Sequence, residues 1–247
     1  MPHLLVTGGG RGIGAAVCRL AAARGWAVTV NYHRDAAAAE ATADAVRAAG
    51  TDALAVAGDV ASEVDTAALF DRATEALGPL TGVVANAGVV AQATILADAD
   101  PARLRRIVDT NVLGALLTAR EAARRMGRSR GGAGGALVLV SSVAARLGAP
   151  NEYVDYAAAK GAVDTLTVGL AKELGPDGIR VNAVRPGVIS TDIHATSGEP
   201  GRAARIGAGA PLGRPGTPEE VAEAILWLLD PAASYVSGAI LDVAGGR

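Results

Sequence analysis

The feature that most constrains this chain is the regular alternation of short apolar runs with longer alanine-rich stretches, from His3 to Val243. Seven runs have strand length: HLLVT (3–7), AVTVN (27–31), ALAVA (53–57), GVVAN (82–86), ALVLVS (136–141), IRVNAV (179–184) and AILDV (239–243). Most lack polar alternation, as strands covered on both faces do, and strands separated by helix-length segments form right-handed βαβ units in a parallel sheet. The expected fold class is therefore α/β, a doubly wound, seven-stranded parallel sheet with helices on both faces. Helix starts fit this partition. Asp100 precedes Pro101, and Thr217-Pro218-Glu219-Glu220 has the spacing of a capping box, each placing proline at the first helical position. A length of 247 residues suits one such domain, 1–247, and no internal linker divides it. Between Ile189 and Gly216 the breakers, among them Gly198, Pro200, Gly207, Pro211 and Pro215, are too frequent for a long helix, so 188–216 reads as a loop or lid.

Charge and composition remove several classes of partner. The net charge is −2, from 23 basic and 25 acidic residues spread along the chain, which leaves no basic face for nucleic acid or anionic lipid. Small molecules or further copies of the chain are the expected partners. No run reaches the roughly 20 apolar residues of a membrane span, and MPHLLVTGGG has no basic segment ahead of an apolar stretch, so a cytoplasmic location is expected. The single cysteine, Cys18, reads as a packing residue. His3, His33 and His194 show no paired ligand spacing, so no metal site is expected, and Trp26 and Trp227 read as core or interface residues.

The first strand runs into TGGGRGIG (7–14) and then a helix. Glycines at that point let a tight turn aim backbone N–H groups, and the helix N-terminus, at a phosphate. The spacing is Gly8-x-x-x-Gly12-x-Gly14, which differs from the G-x-G-x-x-G of many dinucleotide sites. Gly10 and Ile13 belong to the same turn, and Arg11 within it reads equally as a solvated side chain or a phosphate partner.

TGGGRGIG, Asp59-Val60 after the third strand, Asn86-Ala87-Gly88 after the fourth and Tyr156-x-x-x-Lys160 together resemble the short-chain dehydrogenase/reductase family. The likeness spans nearly the whole chain, continuing in Asn111, Ser141-Ser142, Pro186-Gly187 with Thr191, and YVSGAILDVAGG near the C-terminus. The resemblance implies a Rossmann-like fold, a nicotinamide dinucleotide cofactor and hydride transfer. It also implies that the glycine loop, Asp59, Val60, Asn86, Ala87, Gly88, Tyr156, Lys160, Pro186, Gly187 and Thr191 line the cofactor site, that Lys160 holds the nicotinamide ribose, and that Asn111 holds a water leading from the lysine to solvent.

Tyr156 and Lys160, four apart on a helical stretch, share a face. A free phenol titrates near 10, and bringing it near 7 for acid–base work needs roughly 4 kcal/mol, part of which a neighbouring ammonium can supply. Tyr153 has no lysine four residues on. A hydroxyl donor is also needed to polarise the substrate carbonyl. Ser142 is the candidate, although the family's usual spacing to the tyrosine would land on Val143, so GAPNEYVDY holds one residue more, and Ser141 stays open as the alternative.

Cofactor choice is expected at the end of the second strand, where an acid binds the ribose 2′-OH of NAD and repels a 2′-phosphate. That end reads VTVNYHRD, which puts Asn31 and Tyr32 in the acid's place and Asp35 at the start of the next helix. Arg34 and Arg11 can donate to a phosphate, so NADP(H) is expected, with NAD(H) as the alternative. The substrate is expected to be a small carbonyl compound or secondary alcohol, with 3-oxoacyl thioesters and sugars or polyols as open classes. A dinucleotide-binding regulatory protein with little turnover is the reading from another class. By resemblance the chain is also expected to form a homo-oligomer, a tetramer, which would bury the apolar edge strand AILDV.

Overall fold

The computed structural model describes residues 1–191 and 201–247. His194, Gly198 and Pro200, and with them the middle of the expected loop 188–216, lie outside the described residues. Seven parallel strands form one sheet in the order β3-β2-β1-β4-β5-β6-β7. They are β1 (His3–Val6), β2 (Ala27–Tyr32), β3 (Ala53–Ala57), β4 (Gly82–Ala85), β5 (Gly135–Val140), β6 (Ile179–Pro186) and β7 (Ile240–Val243). The expected α/β class, doubly wound with helices on both faces, is the one observed.

The continuous apolar runs are explained by the pleat, which sends successive side chains to opposite faces. Leu4, Val6, Val28, Val30, Val84 and Val138 pack on one side against α1 (Gly12–Ala22), α2 (Ala36–Ala48) and, with residues such as Ile225 and Leu228, α9 (Pro218–Leu229). Leu5, Val83, Leu137 and Leu139 pack on the other side with Phe70 of α3 (Glu63–Leu77), Met126 of α5 (Gly114–Met126) and Val163 of α7 (Val154–Leu174). Cys18 is fully buried in the first of these cores, and burial pushes its thiol up to about 12.

Among the described residues four α-helices start on side-chain caps, which satisfy N–H groups that have no partner within a helix. Asp35 caps α2, Ser62 caps α3, Asp100 caps α4 (Pro101–Val108), and Thr217 and Glu220 form the full capping box of α9. A π-helical turn, Asp109–Leu113, joins α4 to α5. Among the described residues there are also the short α-helices α6 (Ala144–Leu147) and α8 (Arg202–Gly207). The ends of the 188–216 segment are zipped together by an isolated parallel bridge between Ile189 and Gly216, with Gly216 N–H donating to the Val188 carbonyl at 2.9 Å.

Candidate active site

The strand order reverses between β1 and β4, the place in an open parallel sheet where loops diverge and leave a crevice. The glycine turn follows β1, and Asn86-Ala87-Gly88 follows β4, so the two meet there. Thr7 closes the seam: its hydroxyl accepts from the backbone N–H groups of Asn86 and Ala87, both at 3.0 Å. Asn86 returns the contact, its Nδ2 donating to the carbonyls of Thr7 and Gly8 at 2.9 and 3.1 Å. Gly8 has φ +62°, a backbone state that glycine adopts without strain. A Cβ on Gly14 would stand 2.4 Å from the Gly8 oxygen and 2.6 Å from Asn86 Nδ2, so only glycine lets α1 begin this close to the turn. Arg11 at the α1 N-cap makes no side-chain cap, unlike the starts of α2, α3, α4 and α9. The first-turn N–H groups of α1 are thus left for a ligand. Thr191 is beside the turn, with Cγ2 3.3 Å from where a Gly12 Cβ would be, and Ile13 packs on the core.

The corner after β2 differs from expectation. Asn31 is buried and its side chain is consumed: Oδ1 accepts from Gly8 N–H at 3.2 Å, and Nδ2 donates to the carbonyls of Tyr32, Val56 and Gly58 at 3.3, 3.3 and 3.1 Å. It ties the glycine turn to β3 and faces no solvent. Tyr32 is half-buried against the core and Arg34 is exposed. Asp35 does start α2, but its carboxylate also lies 3.7 Å from the Arg11 guanidinium. Asp35 is the acid at the start of the next helix, as expected, and capping α2 also brings it round to the glycine turn. Asp59 accepts from Ala61 N–H at 3.0 Å and faces His33 at 3.8 Å, while Val60 is buried.

The tyrosine and lysine sit at the start of α7. Lys160 is buried, its Nζ donating to the Val140 carbonyl at 2.8 Å and lying 5.6 Å from the centre of the Tyr156 ring. Burial lowers the ammonium to about 8, against the raising effect of Asp164. Burial also pushes the Tyr156 phenol up to about 12, against a lowering hydrogen bond with Ser142. The expected lowering of the phenol by the ammonium is therefore not seen in the free chain, where desolvation of the phenolate outweighs the opposing effect of Ser142. The two serines separate cleanly. Ser141 is buried and donates to the Lys160 carbonyl at 3.1 Å, whereas Ser142 is half-buried beside Tyr156 and accepts from Ala144 N–H at 3.1 Å.

Asn111 lies in the π-helical turn and is buried. Its Oδ1 accepts from Val89 N–H at 3.2 Å, and its Nδ2 donates to the carbonyls of Val89 and Ile107 at 2.9 and 3.0 Å. A Cβ on Gly88 would meet Asn111 Oδ1 at 2.8 Å and Lys160 Nζ at 3.4 Å, so these three residues converge on one point. Pro186 accepts from Val143 N–H at 3.1 Å, and Gly187 donates to the Val243 carbonyl at 2.9 Å, closing the far side of the crevice. Thr7 is the structural member that sequence reasoning passed over, and its only signal was position, just after β1.

Comparison with known proteins agrees with this geometry. Residues 8–247 match the family described as enoyl-(acyl carrier protein) reductase. The chain is 48% identical, over all of both chains, to the Escherichia coli (strain K12) protein named uncharacterized oxidoreductase YgfF. It is 43% identical to the cis-4-hydroxycyclohexanecarboxylate dehydrogenase of Sinomonas cyclohexanicum, over 98% of this chain and 94% of that one. Among solved structures, the 3-ketoacyl-(acyl-carrier-protein) reductase of Brucella melitensis complexed with NADH superposes with a TM-score of 0.91 at 33% identity, covering 100% of this chain and 98% of that one. A short-chain type dehydrogenase/reductase from Mycobacterium marinum gives 0.89 at 34% identity, over 99% and 94% of the two chains. With its crevice at the sheet's reversal and relatives matching along its full length, the chain belongs to the short-chain dehydrogenase/reductase family and is an oxidoreductase.

Proposed function

We propose that this protein is an NADP(H)-dependent oxidoreductase that interconverts a carbonyl and a secondary alcohol, with Tyr156 as the general acid and base. The observation that carries the reading is Tyr156 with Ser142 beside its phenol and buried Lys160 5.6 Å from the centre of its ring, at one end of the crevice. The residues fit a dinucleotide: the uncapped first turn of α1 and the Gly8–Gly14 approach make a cradle that a Cβ would fill. When bound, the nicotinamide supplies or accepts the hydride. The chain's own residues handle the oxygen and its proton. Held neutral by burial, Tyr156 donates its proton to an oxygen gaining charge during reduction, and Ser142 donates a hydrogen bond to the same oxygen. Lys160, charged below about pH 8, stabilises the phenolate that this leaves and holds the ribose. Asn111, locked on Val89, positions the chain beside the lysine.

NADP(H) is supported by exposed Arg34 and by Arg11, where a 2′-phosphate would compete with Asp35 for the guanidinium. Measured kcat/KM should favour NADP(H), and Arg34→Ala should weaken NADP(H) more than NAD(H); a clear NAD(H) preference in the parent overturns this part. Two of the relatives are named as a cis-4-hydroxycyclohexanecarboxylate dehydrogenase and a 3-ketoacyl-(acyl-carrier-protein) reductase, so the first substrates to test are ring keto acids such as 4-oxocyclohexanecarboxylate, 3-oxoacyl thioesters and the simple ketones that match them. On any accepted substrate Tyr156→Phe should lower kcat at least a hundredfold while the cofactor still binds. Near-parent turnover in that variant refutes the mechanism. We also propose a homotetramer that covers the edge strand β7, which light scattering showing only monomer would refute.

A further inference from the structure

Tyr153 has a buried hydroxyl that nothing among the described residues uses. Its side chain is 6% exposed, and its hydroxyl oxygen has no hydrogen-bond partner among the described residues. Buried polar atoms are nearly always paired, and one that is not calls for a reason. Tyr153 is the N-cap of α7, with φ −145° and ψ 45°, and makes no cap hydrogen bond. The residue thus stands just ahead of the turn that carries Tyr156.

Three segments from the C-terminal edge of the sheet frame it. The chain after β4 is tied on by Thr94 N–H, which donates to the Glu152 carbonyl at 3.0 Å. From α4, Arg103 grips Asp155 with two donors, at 2.7 and 3.1 Å, and reaches the Gln92 carbonyl. From α8, the Arg202 guanidinium lies 4.8 Å from the centre of the Tyr153 ring and bonds Glu152 at 2.5 Å. The loops after β4 and β6 thus meet at this tyrosine, beside the proposed reaction centre.

We infer that Tyr153 is a substrate-positioning residue whose hydroxyl donates a hydrogen bond to a carboxylate carried by the substrate away from its reacting carbonyl. A carboxylate is the acceptor that suits the place, because the Arg202 guanidinium lies over the ring and a hydrogen bond to an ionised acceptor is the stronger kind. Arg205 and Arg247 add positive charge there, and together with Arg202 they hold the Glu152 carboxyl below its usual range. The substrate class is then oxo and hydroxy acids. This rests on the carbonyl–alcohol reading above and names which compounds of that class the site takes.

The test compares 4-oxocyclohexanecarboxylate with cyclohexanone in the parent and in Tyr153→Phe, which keeps the ring and removes only the hydroxyl. The parent should prefer the acid at least tenfold in kcat/KM. In Tyr153→Phe that preference should drop about tenfold or more through the KM of the acid, with cyclohexanone and the cofactor KM unchanged. The melting temperature should stay the same or rise, since no internal hydrogen bond is lost. A parent that does not turn over the acid, an acid-to-ketone ratio unchanged by the substitution, or a Tyr153→Phe protein that melts several degrees lower each overturns the inference. Failure of the underlying reading shows separately, as turnover that survives Tyr156→Phe.

Discussion

Gly14→Ala and Gly169→Ala are the same substitution on two helices, and the structure predicts opposite outcomes. In an open helix, alanine is favoured over glycine by about 1 kcal/mol. Gly169 is exposed on α7, with nothing within 4 Å of its added Cβ, so Gly169→Ala should gain roughly that amount. A Cβ on Gly14 would instead sit 2.4 Å from the Gly8 oxygen and 2.6 Å from Asn86 Nδ2, where ordinary contact needs about 3.5 Å. The turn must move by about 1 Å. Overpacking of this kind costs about 1–3 kcal/mol, and the two Asn86 hydrogen bonds that staple β4 to the turn are worth about 1 kcal/mol each if lost. Set against the helix gain, the net is a loss of about 2 kcal/mol, or a melting temperature lower by about 4–8 °C in a chain of this length. In the proposed cradle the displaced amides would also face the cofactor's phosphates. Losing one charge-assisted hydrogen bond there, about 1.5–3 kcal/mol, weakens the dinucleotide about 10- to 100-fold. Thermal melts and fluorescence titration of NADPH on both variants measure the two effects. A Gly14→Ala protein that melts at or above the parent and binds NADPH equally well refutes the cradle.

Two pH effects follow from buried groups. Lys160 titrates near 8, so NADPH affinity should decline as pH rises through about 8, and binding that is flat from pH 7 to 9.5 would show that its charge is not used. His3 is fully buried, with Nδ1 on the Gly78 carbonyl and Nε2 on the Thr29 hydroxyl, and burial holds its pKa below 6.5. Its neutral form is the folded form, so its contribution is whole above pH 6.5 and falls below it, by up to about 1.4 kcal/mol per pH unit, until the lowered folded value is reached. Urea unfolding at pH 7.5 and 5.5 should show a shallower pH dependence for His3→Asn than for the parent, and equal dependence in the two would contradict this assignment.

Much of the fold was legible because its signals are local. Apolar runs without alternation marked all seven strands to within a residue or two, and Asp100-Pro101 and Thr217 with Glu220 marked two helix starts. The turn of glycines after β1, and the four-residue step from Tyr156 to Lys160, are likewise periodic or covalent facts of the chain. Such features depend on neighbours a few residues away, and those neighbours are written in order. What remained was decided by partners distant in sequence. Ser141 and Ser142 are adjacent and alike, yet one turns to the Lys160 carbonyl and the other to Tyr156. Asn31 stood in the acid's place at the end of the second strand, but Val56 and Gly58 take its amide, and Asp35 reaches Arg11 only once α2 is folded back against the turn. The titration of Tyr156 shows the same division. Spacing alone put a cation near the phenol, but its pKa depends on how much water the folded chain removes from both groups, and that is a sum over every element packed around them.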